Sequence, residues 1–225
     1  MSRWIKICAN TSLEDALLAA EAGADAVGFV FAPSPRRVTQ EAVAHIVPHL
    51  PPAVEKIGVF LDTAIEEIES TVRACGLTGV QLHFEARPEF PARLRQKFGP
   101  GLRILRVVHF DPGTATRVAS IVQDPNVDAV LVDSRTATAD GGTGVAFDWR
   151  EAHMGLFQNA EAWNLRLVAA GGLTPANVAE AVGILQPWGV DVVSGVEYAP
   201  GRKDHVKVRS FIATARAAAS RKLER

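Results

Sequence analysis

Apolar, β-branched runs begin near Trp4, Asp25, Val54, Gly79, Arg103, Val127, Leu165 and Gly189, and each is followed by a segment with helical apolar spacing. Most of these starts lie roughly 25 residues apart, the length of one strand, one helix and two short loops. A strand that is apolar throughout is covered on both faces. Eight such units joined by right-handed crossovers close into a parallel barrel. The expectation is an α/β chain in which residues 1–225 form a single-domain (β/α)8 TIM barrel. A doubly wound open sheet is the alternative; it does not require eight units, and no Gly-x-Gly-x-x-Gly follows the first strand.

No composition shift or long linker divides the chain, and its length suffices for one large core. Lys plus Arg number 24 against 25 Asp plus Glu, so neither nucleic acid nor an anionic membrane surface is an expected partner. The first residues lack the apolar core of a signal peptide and no apolar run is long enough to cross a bilayer, which predicts a soluble, cytoplasmic protein. Cys8 and Cys75 do not make a disulfide framework. Neither they nor His45, His49, His109, His153 and His205 show metal-ligand spacing.

Helix starts support the parsing. Thr11-Ser12-Leu13-Glu14 and Thr63-Ala64-Ile65-Glu66 have capping-box spacing, and Thr174-Pro175 places a cap before a proline at the first helical position. Helices thus begin shortly after strands end. Two loops are longer than the rest, Ala32 to Arg37 after the second strand and Arg135 to Gly144 after the sixth. Long loops at the carboxyl ends of barrel strands are where a site is built.

The residues at those ends carry the chemistry. Strand alternation puts Lys6 and Cys8 on one side of the first strand and Ile5 and Ile7 on the other. With the isoleucines against helices, Lys6 lies inside the barrel below Cys8, where its ammonium favours the thiolate. Cys8 is then a base or nucleophile; the alternative is a small buried hydrophobe, which is also the reading for Cys75. Asp133 ends the run Ala129-Val130-Leu131-Val132, where a charge is costly unless paired or at the rim, and loop rather than helix follows it. Asp191 interrupts the eighth strand, either as a site residue or as a partner for Lys6. Gly171-Gly172 and Ser194-Gly195 follow the last two strands, the usual phosphate cradle of such barrels. His83 shares a face with Gln81 and reads as a lining residue. Arg36 and Arg37 sit in a proline-bounded rim loop, where an inward arginine holds a carboxylate by two parallel hydrogen bonds.

Taken in order, Lys6-Ile7-Cys8, Gly23-Ala24-Asp25-Ala26-Val27-Gly28-Phe29-Val30-Phe31, Ser34-Pro35-Arg36-Arg37, Gly58-Val59-Phe60, Gln81-Leu82-His83, Asp133-Ser134, Gly141-Gly142-Thr143-Gly144 with Phe147-Asp148-Trp149, Gly171-Gly172-Leu173-Thr174-Pro175-Ala176-Asn177-Val178, and Ser194-Gly195-Val196-Glu197 with Gly201-Arg202-Lys203-Asp204 form one set. The set resembles the phosphoribosylanthranilate isomerases, enzymes of tryptophan biosynthesis. The resemblance runs from the first strand to the last helix. It implies a (β/α)8 barrel that performs an Amadori rearrangement of a phosphorylated aminosugar with no cofactor or metal. It makes Asp133 the general acid that opens the ribose ring and Cys8 the general base at C2'. Arg37 falls near the anthranilate carboxylate, with His83, Phe84 and Asp191 lining the substrate. Gly171, Gly172, Ser194 and Gly195 hold the phosphate, and the loop carrying Gly142 covers the site as a lid. Monomer and homodimer are both open.

Three positions depart from the family pattern. Ala9 stands where glycine usually follows the cysteine, Asn10 where an apolar residue is common, and Phe84 where glycine follows the histidine. A phenylalanine there either stacks on an aryl group or fills its space. The alternatives are therefore a same-fold Amadori isomerase for another N-ribosyl phosphate, and a non-catalytic phosphosugar-binding barrel. Retention of Cys8 with Asp133 argues against the last.

Overall fold

The computed structural model describes residues 3–61, 63–87, 89–133 and 148–220. Its strands are β1 Trp4–Ile7, β2 Ala26–Val30, β3 Glu55–Phe60, β4 Gly79–Leu82, β5 Arg103–His109, β6 Ala129–Asp133, β7 Leu167–Ala170 and β8 Gly189–Val192. They pair in chain order into a closed parallel barrel, with β8 returning to β1 so that Lys6 lies opposite Asp191. The helices are α1 Leu13–Glu21, α2 Gln40–Ile46, α3 Ile65–Cys75, α4 Glu89–Phe98, α5 Thr114–Val122, α6 Trp149–Gly155, α7 Val178–Leu185 and α8 His205–Ser220. Between β8 and α8 runs an antiparallel ribbon of β9 Glu197–Ala199 and β10 Arg202–Lys203. The (β/α)8 expectation holds, and each strand begins within two residues of the position read from the sequence. No helix of the described residues is long and apolar enough to cross a membrane.

Period-two alternation sorts the strand side chains into two cores. Ile5, Ile7, Val27 and Phe29 face outward and pack with Ala16, Val182 and Phe211 of the surrounding helices. Trp4, Ala26, Ile57, Leu105, Leu131 and Val168 fill the barrel interior. Above this apolar floor the interior turns polar. Lys6, fully buried, donates from Nζ to Asp191 Oδ1 at 2.8 Å and to Gln81 Oε1 at 2.9 Å. The ammonium thus ties β1 to its neighbour β8 and to β4 across the barrel.

Helix caps differ from the sequence reading. Ser12, one residue later than expected, caps α1 by accepting from the Asp15 amide at 3.2 Å, while Thr11 donates to the Gly201 carbonyl at 2.6 Å. At α3 the cap position is Ala64 without a side-chain bond, and Thr63 turns back onto the Leu61 carbonyl at 3.0 Å. α7 begins only at Val178, after a turn stitched by Asn177, which accepts from the Thr174 amide at 2.7 Å and donates to the Gly172 carbonyl at 3.0 Å. At Thr11 and Thr63 a backbone carbonyl outside the helix takes the hydroxyl that spacing alone assigned to the cap.

Removing one partner of a buried ion pair strands the other charge, at about 3–5 kcal/mol. Asp191→Ala is expected to lower unfolding free energy by that amount in urea denaturation, and Lys6→Met combined with Asp191→Leu to recover most of it. A loss below about 1 kcal/mol for the single variant would contradict the pairing.

Candidate active site

The inward-facing residues at the carboxyl ends of the strands converge. Cys8 follows β1, His83 follows β4, Asp133 ends β6 and Asp191 lies in β8, and all four line one cavity of about 250 Å³ with Arg36 on its wall. Cys8 and Asp133 are each only 3% exposed. His109, at the end of β5, joins them: one nitrogen of His83, one of His109 and a carboxylate oxygen of Asp133 lie within 4.8 Å of one another.

Cys8 is fixed by its backbone. Its amide donates to the Val192 carbonyl at 2.9 Å and its carbonyl accepts from Lys203 Nζ at 2.6 Å. Gly28 on β2 leaves room for the thiol, since a Cβ there would stand 2.5 Å from Sγ. Burial pushes the Cys8 thiol up; Lys6 opposes that, Asp191 adds to it, and burial prevails. Burial works against the Lys6 ammonium, yet Asp191 and Cys8 outweigh it and its pKa is raised. Lys6 thus favours the thiolate, as its position predicts, but burial outweighs it. Asp191 pairs with that ammonium at 2.8 Å, which leaves burial as the larger influence on the thiol. Asp191 serves both roles left open by the sequence, partner of Lys6 and wall of the cavity. Cys75 is a packing residue as expected; burial lifts its thiol to about 11 and its Sγ donates to the Gln40 carbonyl at 3.4 Å.

Ala9 and Asn10 form one structural unit. Ala9 has φ +61°, the left-handed region that glycine enters freely and that costs other residues roughly 1–2 kcal/mol. Asn10 is fully buried and its side-chain amide donates to the Ile7 carbonyl at 2.8 Å and the Gly28 carbonyl at 3.3 Å. These bonds hold the turn in which Ala9 is strained.

After β7, Gly171 and Gly172 have φ +80° and +64°. A Cβ on Gly195 would stand 1.9 Å from the Leu173 carbonyl oxygen, so the turns after β7 and β8 pack backbone against backbone. Ser194 is exposed and the three glycines are partly so. Adjacent glycine turns of this kind present main-chain amides to an anion.

The rim arginines divide. Arg36 makes the two-pronged carboxylate contact expected of this loop, but with Glu197, from Nε and Nη at 3.0 and 2.7 Å; Lys203 Nζ reaches the same carboxylate at 3.2 Å. Arg37 is exposed and does not line the cavity. Phe84 turns away from the cavity as well. It packs edge-on against Phe90 with ring centroids 5.6 Å apart and lines a second space of about 680 Å³ between the β4–α4 loop and α5, which shares His83 with the first. It therefore neither stacks over the central cavity nor fills it. Gly142 and the proposed lid from Arg135 to Gly144 lie outside the described residues. Sequence reasoning assigned no role to Gly28, His109, Glu197 or Lys203. Alternation along β5 was the one signal that put His109 inward.

Gly28→Ala must displace the Cys8 thiol. The expected cost is roughly tenfold to hundredfold in turnover efficiency and about 1–3 kcal/mol in stability, read by steady-state assay and chemical denaturation. Ala9→Gly relieves the left-handed strain, and its gain of up to about 1 kcal/mol is checked by the same denaturation.

A family model described as N-(5'phosphoribosyl)anthranilate (PRA) isomerase matches residues 5–214. The N-(5'-phosphoribosyl)anthranilate isomerase of Pelobacter propionicus is 45% identical over 94% of this chain and 95% of its own. The crystal structure of phosphoribosyl anthranilate isomerase from Thermotoga maritima superposes with TM-score 0.83 at 34% identity, over 96% of this chain and all of that one. A second isomerase structure, in complex with reduced 1-(o-carboxyphenylamino)-1-deoxyribulose 5-phosphate, gives TM-score 0.79 at 34% identity over the same shares. The barrel, the paired cysteine and aspartate and the glycine turns are thus set in a chain that belongs to the N-(5'-phosphoribosyl)anthranilate isomerase family.

Proposed function

We propose that this chain converts N-(5'-phosphoribosyl)anthranilate to 1-(o-carboxyphenylamino)-1-deoxyribulose 5-phosphate, with Asp133 as general acid and Cys8 as general base. The observation that carries this reading is that the two side chains, at the carboxyl ends of strands β1 and β6, line one cavity. Asp133 gives a proton to the ribose ring oxygen. The bond from that oxygen to C1' breaks as the anilino nitrogen pair forms a C1'=N double bond, leaving a cationic Schiff base. Cys8, after releasing its own proton to solvent, removes the C2' proton as thiolate. The electron pair released forms the C1'=C2' double bond and returns the C=N pair to nitrogen, giving an enolamine that tautomerises to the ketone. No net oxidation occurs, and the reaction needs only proton carriers held on opposite sides of one sugar.

By the family resemblance the phosphate is assigned to the turns at Gly171, Gly172, Ser194 and Gly195, and the anthranilate carboxylate to Arg37, which stands exposed on the rim loop outside the described cavity while Glu197 engages Arg36. The packing of Phe84 on Phe90 removes one of the two reasons for preferring another N-ribosyl phosphate; the other, Ala9, remains in the cavity wall. Both cysteines are free thiols, as suits the cytoplasm.

The test is a steady-state assay following the loss of substrate fluorescence. Wild type is expected to turn over, and Cys8→Ser and Asp133→Asn each to lose roughly 10²–10⁴ in kcat while remaining folded. A folded wild type without turnover overturns the reading, and an undiminished Asp133→Asn overturns the assignment of the acid.

A further inference from the structure

We propose that His83, His109 and Asp133 form a binding site for a divalent transition-metal ion of the zinc and cobalt class, and that the bound ion stops turnover by occupying the Asp133 carboxylate. The three side chains stand at the ends of adjacent strands β4, β5 and β6. His109 and Asp133 are direct register partners, and the two imidazole centroids are 5.4 Å apart. Among the described residues this is the single group of three His, Cys, Asp or Glu side chains whose donor atoms converge, all within 4.8 Å of one another.

Distances decide whether an ion fits. Zinc takes nitrogen and oxygen donors at about 2.0–2.2 Å, so tetrahedral donors stand roughly 3.4 Å apart. The donors, all within 4.8 Å of one another, are at most about 1.4 Å too far apart, a gap that side-chain rotations close while the hydrogen-bonded strands stay in place. The environment favours closure. Asp133 is buried, and Nδ1 of His109 is buried without a hydrogen-bond partner, a state that costs about 1–3 kcal/mol. Coordination through Nδ1 supplies the partner that this atom lacks.

The donor set fixes the class of ion. Two imidazoles and one carboxylate suit zinc, cobalt or nickel, whereas magnesium and calcium prefer oxygen donors. Three protein ligands leave a position for water. Binding involves no redox step: the ion takes a carboxylate oxygen of Asp133, and any proton there goes to solvent. Loss of turnover rests on Asp133 acting as the acid; binding itself does not.

Chelator-treated full-length protein is titrated with cobalt chloride while its visible ligand-field absorption is followed. The expected result is a band saturating at one ion per chain in wild type and in Cys8→Ser. Affinity is expected to be at least about tenfold weaker in His109→Ala, in the bulkier His109→Gln and in Asp133→Asn, with folding of each checked by circular dichroism. Zinc should displace the cobalt and inhibit wild-type turnover, with recovery on adding chelator. The absence of a band in wild type, or unchanged affinity in both His109 variants, overturns the site. A protein that binds cobalt normally but does not isomerise the aminoaldose leaves the site standing and rejects only the proposed reaction.

Discussion

The contact of Lys6 with Asp191 is the interaction on which the interior of this barrel depends. A full charge with no exposed surface survives only with a partner of opposite sign and satisfied hydrogen bonds, and Asp191 and Gln81 provide them. The two ionic partners belong to the first and last strands, so the pair forms only where the barrel has closed. It also lies beneath the cavity, where it sets the electrostatics felt by Cys8. An isolated ammonium would draw the thiol toward ionisation. One neutralised by a carboxylate does so weakly, and burial then decides the balance.

Above that layer the site is held mainly by where backbone atoms can approach. Gly28 clears the volume that the thiol occupies, and Gly195 lets the turn after β8 lie directly on the one after β7. Neither contact tolerates a side chain. The turn after Cys8 departs from this rule, since Ala9 takes a conformation suited to glycine. Asn10 compensates by bonding the carbonyls of both adjoining strands. A second buried network fixes the other end of the same segment: Arg36 and Lys203 share Glu197, and Lys203 also holds the Cys8 carbonyl. The rim loop, the β9–β10 ribbon and the strand end carrying the thiol therefore form one hydrogen-bonded body.

These levels of structure were not equally legible in the sequence. Strand positions were, because barrel strands are apolar on both faces and stand out from amphipathic helices. The inward course of Lys6 and Cys8 followed from alternation alone. The failures occurred where a group had to choose between partners. Thr11 and Thr63 had the spacing of caps, but carbonyls outside their helices took the hydroxyls. The pairing of Lys6 with Asp191 is one of two roles the sequence leaves open for Asp191, and the register of β1 with β8 selects it. Phe84 was correctly placed at a turn, yet its direction is set by contact with Phe90 in the following helix. His109 had no partner at local spacing. Only the register of β4, β5 and β6 brings it to His83 and Asp133.

A base held as a thiol has a consequence for the order of proton transfers in the proposed reaction. While the substrate ring is closed its nitrogen is neutral, and an early thiolate would be an additional charge in a buried site. Ring opening by Asp133 changes this, because the Schiff base nitrogen becomes a cation next to the carbon that Cys8 must deprotonate. Opposite charges within about 4–6 Å favour ionisation, and here the cation also acidifies the C2' proton by withdrawing electrons. The step that creates the need for a base thus also helps to generate it. In the proposed reaction, transfer from Asp133 therefore precedes deprotonation at C2'.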